Sequence, residues 1–242
     1  MNRLRWLVVI LVAGCGVAWL AAQNIPRDRT MTTEQLADNL FVVKDGYDGN
    51  TAVFIRAEGV VLVDTKSVAG GQALLDAVRT LTDKPVTHIL NTHEHFDHVG
   101  GNSYLPQHVE VVAHENAAAA MAGMDEFRGS ARAHGLPDRT FKDTLTLFDG
   151  ADAISLHYFG RAHTTGDAFI VFRGAGVMHA GDTYPGVNVV QRSGGSADEY
   201  PRTMSRAASE ITGVRSVIPG HGPVTTWQAF VDNAAALRKG RD

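Results

Sequence analysis

Cysteine is almost absent from this sequence, which has one cysteine in 242 residues. Cys15 therefore has no partner for an internal disulfide. It lies in an apolar N-terminal run, far along the chain from the histidines, so no thiolate is expected among metal ligands here. If the protein binds a metal, its ligands must be histidines and carboxylates.

The sequence also has no excess of basic residues and no internal repeat. Its formal net charge is −4, which gives no reason to expect a nucleic-acid partner. Without self-similarity at a fixed period, a solenoid or propeller is excluded. With 44% hydrophobic residues, the chain can bury one sizeable core, so one globular domain is expected.

The N-terminus differs in character from the rest. Arg3 and Arg5 precede an apolar run from Trp6 to Ala22, which is typical of an export signal. We therefore predict that residues 1–22 are an export signal or a membrane anchor, and that the protein is periplasmic or otherwise exported. Because the run reaches the lower limit of about 17 residues for a membrane span, a tether to the membrane is one alternative. A lipid attached to Cys15 is another, since "VAGC" fits a lipoprotein cleavage pattern, although the chain stays apolar after Cys15.

The remainder reads as a linker followed by a domain of strands and helices. Residues 23–38 are polar and contain a proline, which predicts a linker or surface lead-in. From residue 39 to 242, short β-branched runs alternate with segments of helical spacing, such as "SVAGGQALLDAVRTLTD" and "ENAAAAMAGMDEFRGSARAH". Each half contains strands and helices, which predicts an α/β protein with layered α+β character: two sheets face to face, with helices outside.

The segment "NTHEHFDHVGGN" carries the strongest chemical signal. It places three histidines and two acids between His93 and His98, directly after a predicted strand. In extended chain, side chains two residues apart project to the same side, so His93 and His95 can bind one metal ion. Asp97 and His98 follow where the chain turns and can face a second ion. Imidazole and carboxylate ligands suit zinc, and also iron, manganese or cobalt.

Three more candidates lie at predicted strand ends beside small residues: His163 in "GRAHTTGD", Asp182 in "MHAGDTYPG" and His221 in "IPGHGPV". This ordered series resembles the HxHxDH…H…D…H pattern of the metallo-β-lactamase-fold hydrolase superfamily. All seven positions match, and the resemblance runs from Phe41 to the end of the chain.

The resemblance implies an αββα sandwich and a dinuclear metal site. One ion would be held by His93, His95 and His163. The other would be held by Asp97, His98 and His221, with Asp182 and a hydroxide bridging the two. The hydroxide would attack a carbonyl carbon or a phosphorus atom while an ion polarises the acceptor oxygen. Asp97 would be the catalytic residue, orienting the hydroxide and taking up its proton.

Other polar residues have simpler interpretations. We expect His88 inside its strand to be satisfied locally, His114 to cap or pack a helix, and the remaining histidines to be surface or loop residues: His108, His134 and His157. His179 is a candidate for supporting a ligand, since it precedes Asp182 by three residues. Asp64 either orients a ligand histidine or starts a turn.

The ligand set leaves several functions open. The resemblance implies a hydrolase with two Zn²⁺ ions acting on a small-molecule ester, thioester, lactone or lactam. A true β-lactamase is one alternative, although the β-lactamase subclasses usually have Cys or Ser where this chain has Asp182. An iron-dependent persulfide dioxygenase-like oxidoreductase and a non-catalytic metal-binding envelope protein are alternatives of other classes. Structural zinc sites, however, are usually closed four-ligand sets.

Two glycine-rich loops are candidates for contacting a substrate. The loop around Tyr47 and the loop after Asp182, with Tyr184, Asn188 and Arg192, could overhang the metals. Both could equally be ordinary connections, so the sequence names no substrate-binding residue.

Overall fold

The computed structural model describes residues 29–185 and 193–239, over which the strands form two sheets. In the first sheet, seven strands lie side by side in chain order: β1 (Thr32–Ala37), β2 (Leu40–Lys44), β3 (Thr51–Ile55), β4 (Val60–Val63), β5 (Val86–Leu90), β6 (Glu110–His114) and β7 (Arg139–Phe141). The second sheet has the order β13-β12-β11-β10-β9-β8, formed by β8 (Thr144–Leu147), β9 (Ile154–His157), β10 (Phe169–Phe172), β11 (Val177–His179), β12 (Ser216–Ile218) and β13 (Thr225–Thr226).

The main core lies between the two sheets. Strand side chains alternate between the two faces, and in β4 Val61 and Val63 belong to this core whereas Val60 and Leu62 point to the outer face. Phe54 of the first sheet meets Phe172 of the second with ring centroids 5.3 Å apart. Both faces of the central strands are therefore apolar, which explains the continuous apolar runs in the sequence.

Helices cover the outer faces. The described helices are α1 (Gly71–Leu81), α2 (Phe96–Val99), α3 (Glu115–Met121), α4 (Tyr200–Glu210) and α5 (Trp227–Lys239). Leu74 and Val78 of α1, four residues apart, pack on the outer face of the first sheet. Met204 of α4 and Phe230 of α5 pack on the second sheet. The predicted αββα sandwich is confirmed.

The lead-in predicted for residues 23–38 is in part a strand. Thr32–Ala37 pair antiparallel with β2 as the edge strand β1, so the sheet begins before the predicted domain boundary at residue 39. Its side chains are polar and mostly exposed, which is why the sequence predicted a linker. The main-chain hydrogen-bonding groups on one side of the strand nevertheless pair with β2. Because the side chains are exposed, the sequence has no apolar pattern here that would predict a strand.

The long helix predicted over 115–134 is also wrong beyond its first two turns. α3 ends at Met121, and the chain continues through short 3₁₀ turns at Asp125–Phe127 and Ala133–Gly135. Glycine costs a helix interior about 1 kcal/mol relative to alanine, and Gly129 has φ +88°. The left-handed conformation at Gly129 therefore prevents a continuous helix to residue 134.

The N-terminal export signal or anchor, including Cys15, lies outside the described residues. Over the described ranges, 29–185 and 193–239, no helix has the length and apolar character needed to cross a bilayer.

Parallel pairing brings the reactive loops to one edge of the sandwich. β4, β5 and β6 are parallel neighbours in the first sheet, as are β11 and β12 in the second. The two sheets are linked at this edge by a hydrogen bond from the Ala168 amide to the Thr92 carbonyl, at 2.8 Å. The loops after β5, β11 and β12 thus meet at one place.

Candidate metal centre

All seven residues singled out from the sequence lie at this edge. His93, His95, Asp97 and His98 follow β5 and run into the short helix α2. His163 comes from the loop between β9 and β10, Asp182 follows β11, and His221 follows β12. They form two adjoining groups that could each hold a metal ion.

The first group consists of His93, His95, His163 and Asp182. His163 Nε2 lies 3.0 Å from His95 Nδ1 and 3.3 Å from Asp182 Oδ2. His93 Nε2 lies 4.0 Å from the same carboxylate oxygen. Three ring nitrogens and one oxygen therefore face a common point.

The second group consists of Asp97, His98 and His221. His221 Nε2 lies 3.1 Å from Asp97 Oδ2 and 3.4 Å from His98 Nε2. His98 Nε2 lies 3.7 Å from Asp97 Oδ2. These three atoms enclose a second point beside the first.

Asp182 joins the two groups through its two oxygens. Oδ2 faces the first group, while Oδ1 lies 3.2 Å from His98 Nε2 and 3.6 Å from His221 Nε2. Gly220 is packed so closely that a Cβ there would lie 1.8 Å from Oδ1. A residue with a side chain at position 220 would displace the shared carboxylate.

Asp64 orients two of the histidines from behind. It is fully buried, and Oδ2 accepts hydrogen bonds from His98 Nδ1 at 2.7 Å and from the Thr92 hydroxyl at 2.7 Å. Since the single Thr92 proton goes to Asp64, the Thr92 oxygen accepts from His93 Nδ1 at 3.0 Å. Both imidazoles thus turn Nε2 toward the centre, so of the two interpretations of Asp64 the orienting one is confirmed.

Burial lowers the pKa of His98, but Asp182 and Asp64 outweigh it and raise the pKa well above its usual value.

The geometry also identifies a support for His95 that the sequence did not reveal. Ser193 Oγ lies 3.0 Å from His95 Nε2, which leaves Nδ1 to face the first group. Ser193 is 98 residues from His95 along the chain, and it belongs to no recognisable motif. Only the folded chain shows the pair.

The protonation states of the first group suit metal binding near neutral pH. Burial lowers the pKa of His93 well below its usual value, and the positive charge of His98 acts in the same direction. Burial and the neighbouring His163 lower the pKa of His95 to about 4. Burial raises the pKa of Asp182, but the positive charge and hydrogen bond of His98, with further contributions from His93 and His221, together outweigh burial and hold the pKa below its usual range. Neutral imidazole and ionised carboxylate are the forms that bind metal.

The residues fit a metal site on several counts. Among the described residues, His93 Nε2 is buried without a hydrogen-bond partner, an arrangement that costs free energy unless a ligand satisfies it. Tetrahedral zinc ligands at about 2.0–2.1 Å from the ion lie about 3.3 Å from one another, close to the separations within both groups. A third grouping of Asp64, His93 and His98 is better explained by the hydrogen bonds of Asp64 to His98 and Thr92.

The other histidines have the simple roles expected of them. His114 caps α3 by accepting from the Asn116 amide at 3.2 Å and donates to the Lys142 carbonyl at 2.8 Å. His179 accepts from the Gly181 amide and donates to the Asn50 carbonyl, 3.1 Å in each case. His179 thus supports the chain beside Asp182 rather than binding metal. His88 pairs with Glu110 at 3.3 Å.

The loops at the rim gave mixed outcomes. Tyr47 in the loop 45–50 is 67% exposed and Phe96 is 57% exposed, so apolar surface flanks the site. Tyr184 is partly buried, and its ring packs against Phe230 with ring centroids 5.6 Å apart. Asn188 and Arg192 lie outside the described residues.

Comparison with known proteins places this geometry in a family. The family model for the metallo-beta-lactamase superfamily matches residues 45–228. The fold is similar to a metallo-beta-lactamase from Pontibacter korlensis, with TM-score 0.72 and 20% identity over 86% of this chain and 99% of that one. It is also similar to the DIM-1 metallo-beta-lactamase, with TM-score 0.71 and 20% identity over 87% and 98% of the two chains.

Two relatives are more similar in sequence. The 2,4-dinitroanisole O-demethylase subunit alpha of Nocardioides sp. (strain JS1661) is 30% identical over 169 residues, which are 66% of this chain and 49% of that protein. The hydroxyacylglutathione hydrolase of Polaromonas sp. (strain JS666 / ATCC BAA-500) is 30% identical over 158 residues, 62% of this chain and 56% of that protein. This chain therefore spans about half the length of the relatives it matches.

Proposed function

This chain belongs to the metallo-beta-lactamase superfamily, and from that premise we propose that it is an exported hydrolase using two zinc ions to cleave an ester, thioester, lactone or lactam. The observation that carries the proposal is the shared carboxylate of Asp182, whose two oxygens face two separate ligand groups. A carboxylate in that position would serve two ions at once.

We assign the ligands by group. His93, His95 and His163 would hold one ion, Asp97, His98 and His221 the other, and Asp182 would bridge them. Iron or manganese would also be accepted by this ligand set. When bound, divalent ions lower the pKa of water to near neutrality and polarise the carbonyl under attack.

Asp97 is the residue to which we assign proton transfer. Burial raises the pKa of its carboxyl, but the hydrogen bond from His221 and the positive charge of His98 together outweigh burial and lower the pKa, so Asp97 is ionised near neutral pH. Its Oδ2 atom faces the same space as His221 Nε2, 3.1 Å away. Asp97 would orient the attacking water, take its proton as oxygen bonds to the carbonyl carbon, and return it to the leaving oxygen, nitrogen or sulfur.

The names of the similar proteins support an acyl substrate. One relative is a hydroxyacylglutathione hydrolase and the similar structures are metallo-beta-lactamases. Exposed Tyr47 and Phe96 beside the ligands would favour a substrate with an apolar part. Export and a tether would come from residues 1–22, which cell fractionation with and without that segment would test.

We expect hydrolysis to depend on bound metal. The purified chain, zinc-loaded and chelator-treated in parallel, would be assayed on a chromogenic cephalosporin, a thioester, a lactone and a simple ester. We expect turnover of at least one of these substrates. Chelator should abolish the turnover and zinc should restore it, because without a bound cation nothing activates the attacking water.

The panel also separates the alternatives. Turnover of the cephalosporin would identify a β-lactamase despite Asp182. Failure to hydrolyse all four compounds by protein shown to hold two metals would contradict the hydrolase assignment. In that case oxidation of a persulfide by the iron-loaded protein would be the next assay.

A further inference from the structure

The segment Asp48–Asn50 lies against Asp97 and His98 of the second ligand group and against the loop that carries His221. The Gly49 amide donates to the Asp97 carbonyl at 3.1 Å, and a Cβ on Gly49 would lie 2.3 Å from Cε1 of His98. The Asn50 amide donates to the Gly220 carbonyl at 2.6 Å. The position of this segment therefore sets the positions of Asp97, His98 and the loop that carries His221.

The Asn50 side chain strengthens the link to His221. Its Nδ2 donates to the carbonyls of Pro219 at 2.9 Å and Gly222 at 3.0 Å. These two residues flank the turn in which His221 lies. Asn50 thus holds the turn at two points, and any shift of Asn50 would carry His221 with it.

A buried lysine holds the segment from behind. Lys66 is fully buried, and its Nζ donates to the Gly49 carbonyl at 2.5 Å and to the Val43 carbonyl at 2.8 Å. Buried ammonium groups are rare because desolvation of the charge is costly. Lys66 is not one of the proposed metal ligands. Metal binding by Lys66 itself therefore does not explain why the protein buries this ammonium group.

The local backbone is specialised for this placement. Lys66 has φ +70°, a left-handed conformation that is uncommon for residues other than glycine. Asp48 accepts from the Ser67 amide at 3.1 Å and from the Ser67 hydroxyl at 2.8 Å. The chain on the N-terminal side of Gly49 is thus fixed to the turn that carries Lys66.

We propose that Lys66 is a positioning residue for the second ligand group, acting through its hydrogen bond to the Gly49 carbonyl. The proposal rests on the two-ion function proposed above. Lys66 fixes the main chain of Gly49, and Gly49 and Asn50 in turn fix Asp97, His98 and His221. A side chain that only filled space could be replaced by one of equal length without affecting metal binding.

Lys66→Met tests this because methionine fills similar space without N–H donors. We expect Co²⁺ or Zn²⁺ to bind the second ligand group of metal-free protein about 10- to 100-fold more weakly, the range for partners that orient ligands, while binding to the first group is unchanged. The Co²⁺ absorption of the second site should weaken, and Lys66→Arg should restore it in part. Lys84→Met is the matched control, since Lys84 Nζ also donates to a main-chain carbonyl, that of Arg56 at 2.7 Å, outside the ligand groups.

Amide exchange of metal-free protein gives a readout that does not depend on two-ion binding. We expect the Gly49 and Asn50 amides to exchange faster in Lys66→Met than in the unaltered chain or in Lys84→Met. If the unaltered chain binds one ion only, the two-ion function fails, and this exchange comparison alone decides the role of Lys66. Unchanged exchange, or an unchanged second binding step, would overturn the proposal.

Gly49→Ala tests separately whether the segment controls the second ligand group, and Lys66→Arg remains the test of Lys66 itself if Lys66→Met does not fold. The added Cβ must displace either the segment or the His98 ring, so the second binding step should weaken as in Lys66→Met. Gly123→Ala is its control, because a Cβ there would meet only the Ala120 carbonyl oxygen at 3.5 Å. Equal second-step affinity in the two glycine variants would refute the proposed link between the segment and the metal.

Discussion

Replacing Asp97 with Ala is expected to lower kcat by about 10²- to 10⁴-fold, the usual contribution of a positioned general base. Asp97 is the one carboxylate that belongs to the second ligand group alone, and its ionised Oδ2 faces the space where water must be activated. Loss of the side chain removes the proton acceptor and one ligand together.

A second substitution separates these two roles. Asp97→Asn keeps one oxygen for metal binding but loses most of the basicity, so kcat should fall even at saturating metal. Asp76→Ala, on the exposed side of α1, is the matched control and should retain full activity. If both Asp97 variants kept kcat within about tenfold of the unaltered chain, proton transfer by Asp97 as assigned here would be refuted.

Replacing Asp182 with Asn is expected to weaken both metal-binding steps. Each oxygen of the carboxylate serves a different group, at 3.3 Å from His163 Nε2 and 3.2 Å from His98 Nε2. An amide offers one neutral oxygen, so it cannot serve both ions and carries no charge to balance them. We expect each affinity to fall by more than about 100-fold, beyond the range found for partners that merely orient ligands.

The measurement is a Co²⁺ titration of the metal-free variant followed by its visible absorption. Asp232→Asn, an exposed aspartate of α5, is the control and should titrate like the unaltered chain. Loss of one binding step with full retention of the other would mean that Asp182 serves a single ion and does not bridge.

The sequence predicted most of the fold because both faces of the sheets are covered. The apolar runs of strands such as β4 and β10 are buried on both sides, which makes them conspicuous in the sequence. β1 was not found because its side chains are exposed, and its main-chain pairing leaves no trace in composition. The helix from Glu115 was predicted too long because the alanine run favours a helix only locally, and the chain beyond Met121 turns through 3₁₀ segments and a left-handed Gly129.

In the candidate site too, the sequence predicted some residues and missed others. Four of the proposed ligands are close in sequence, and their spacing predicts metal binding: His93, His95, Asp97 and His98. The structure brings the remaining three proposed ligands to them. The residues that orient the ligands act over long separations. Thr92 and Asp64 are 28 residues apart, and Ser193 and His95 are 98 apart. Such pairs follow from the topology of two sheets meeting at one edge.

Metal stoichiometry of the unaltered chain tests the central claim most directly. The chain would be stripped with chelator, titrated with Zn²⁺ and with Co²⁺, and its bound metal counted by elemental analysis while hydrolysis is followed in the same samples. We predict two ions per chain, with turnover rising as they bind. A chain that binds no metal, or that reaches full turnover with one ion while the second never binds, would contradict the account.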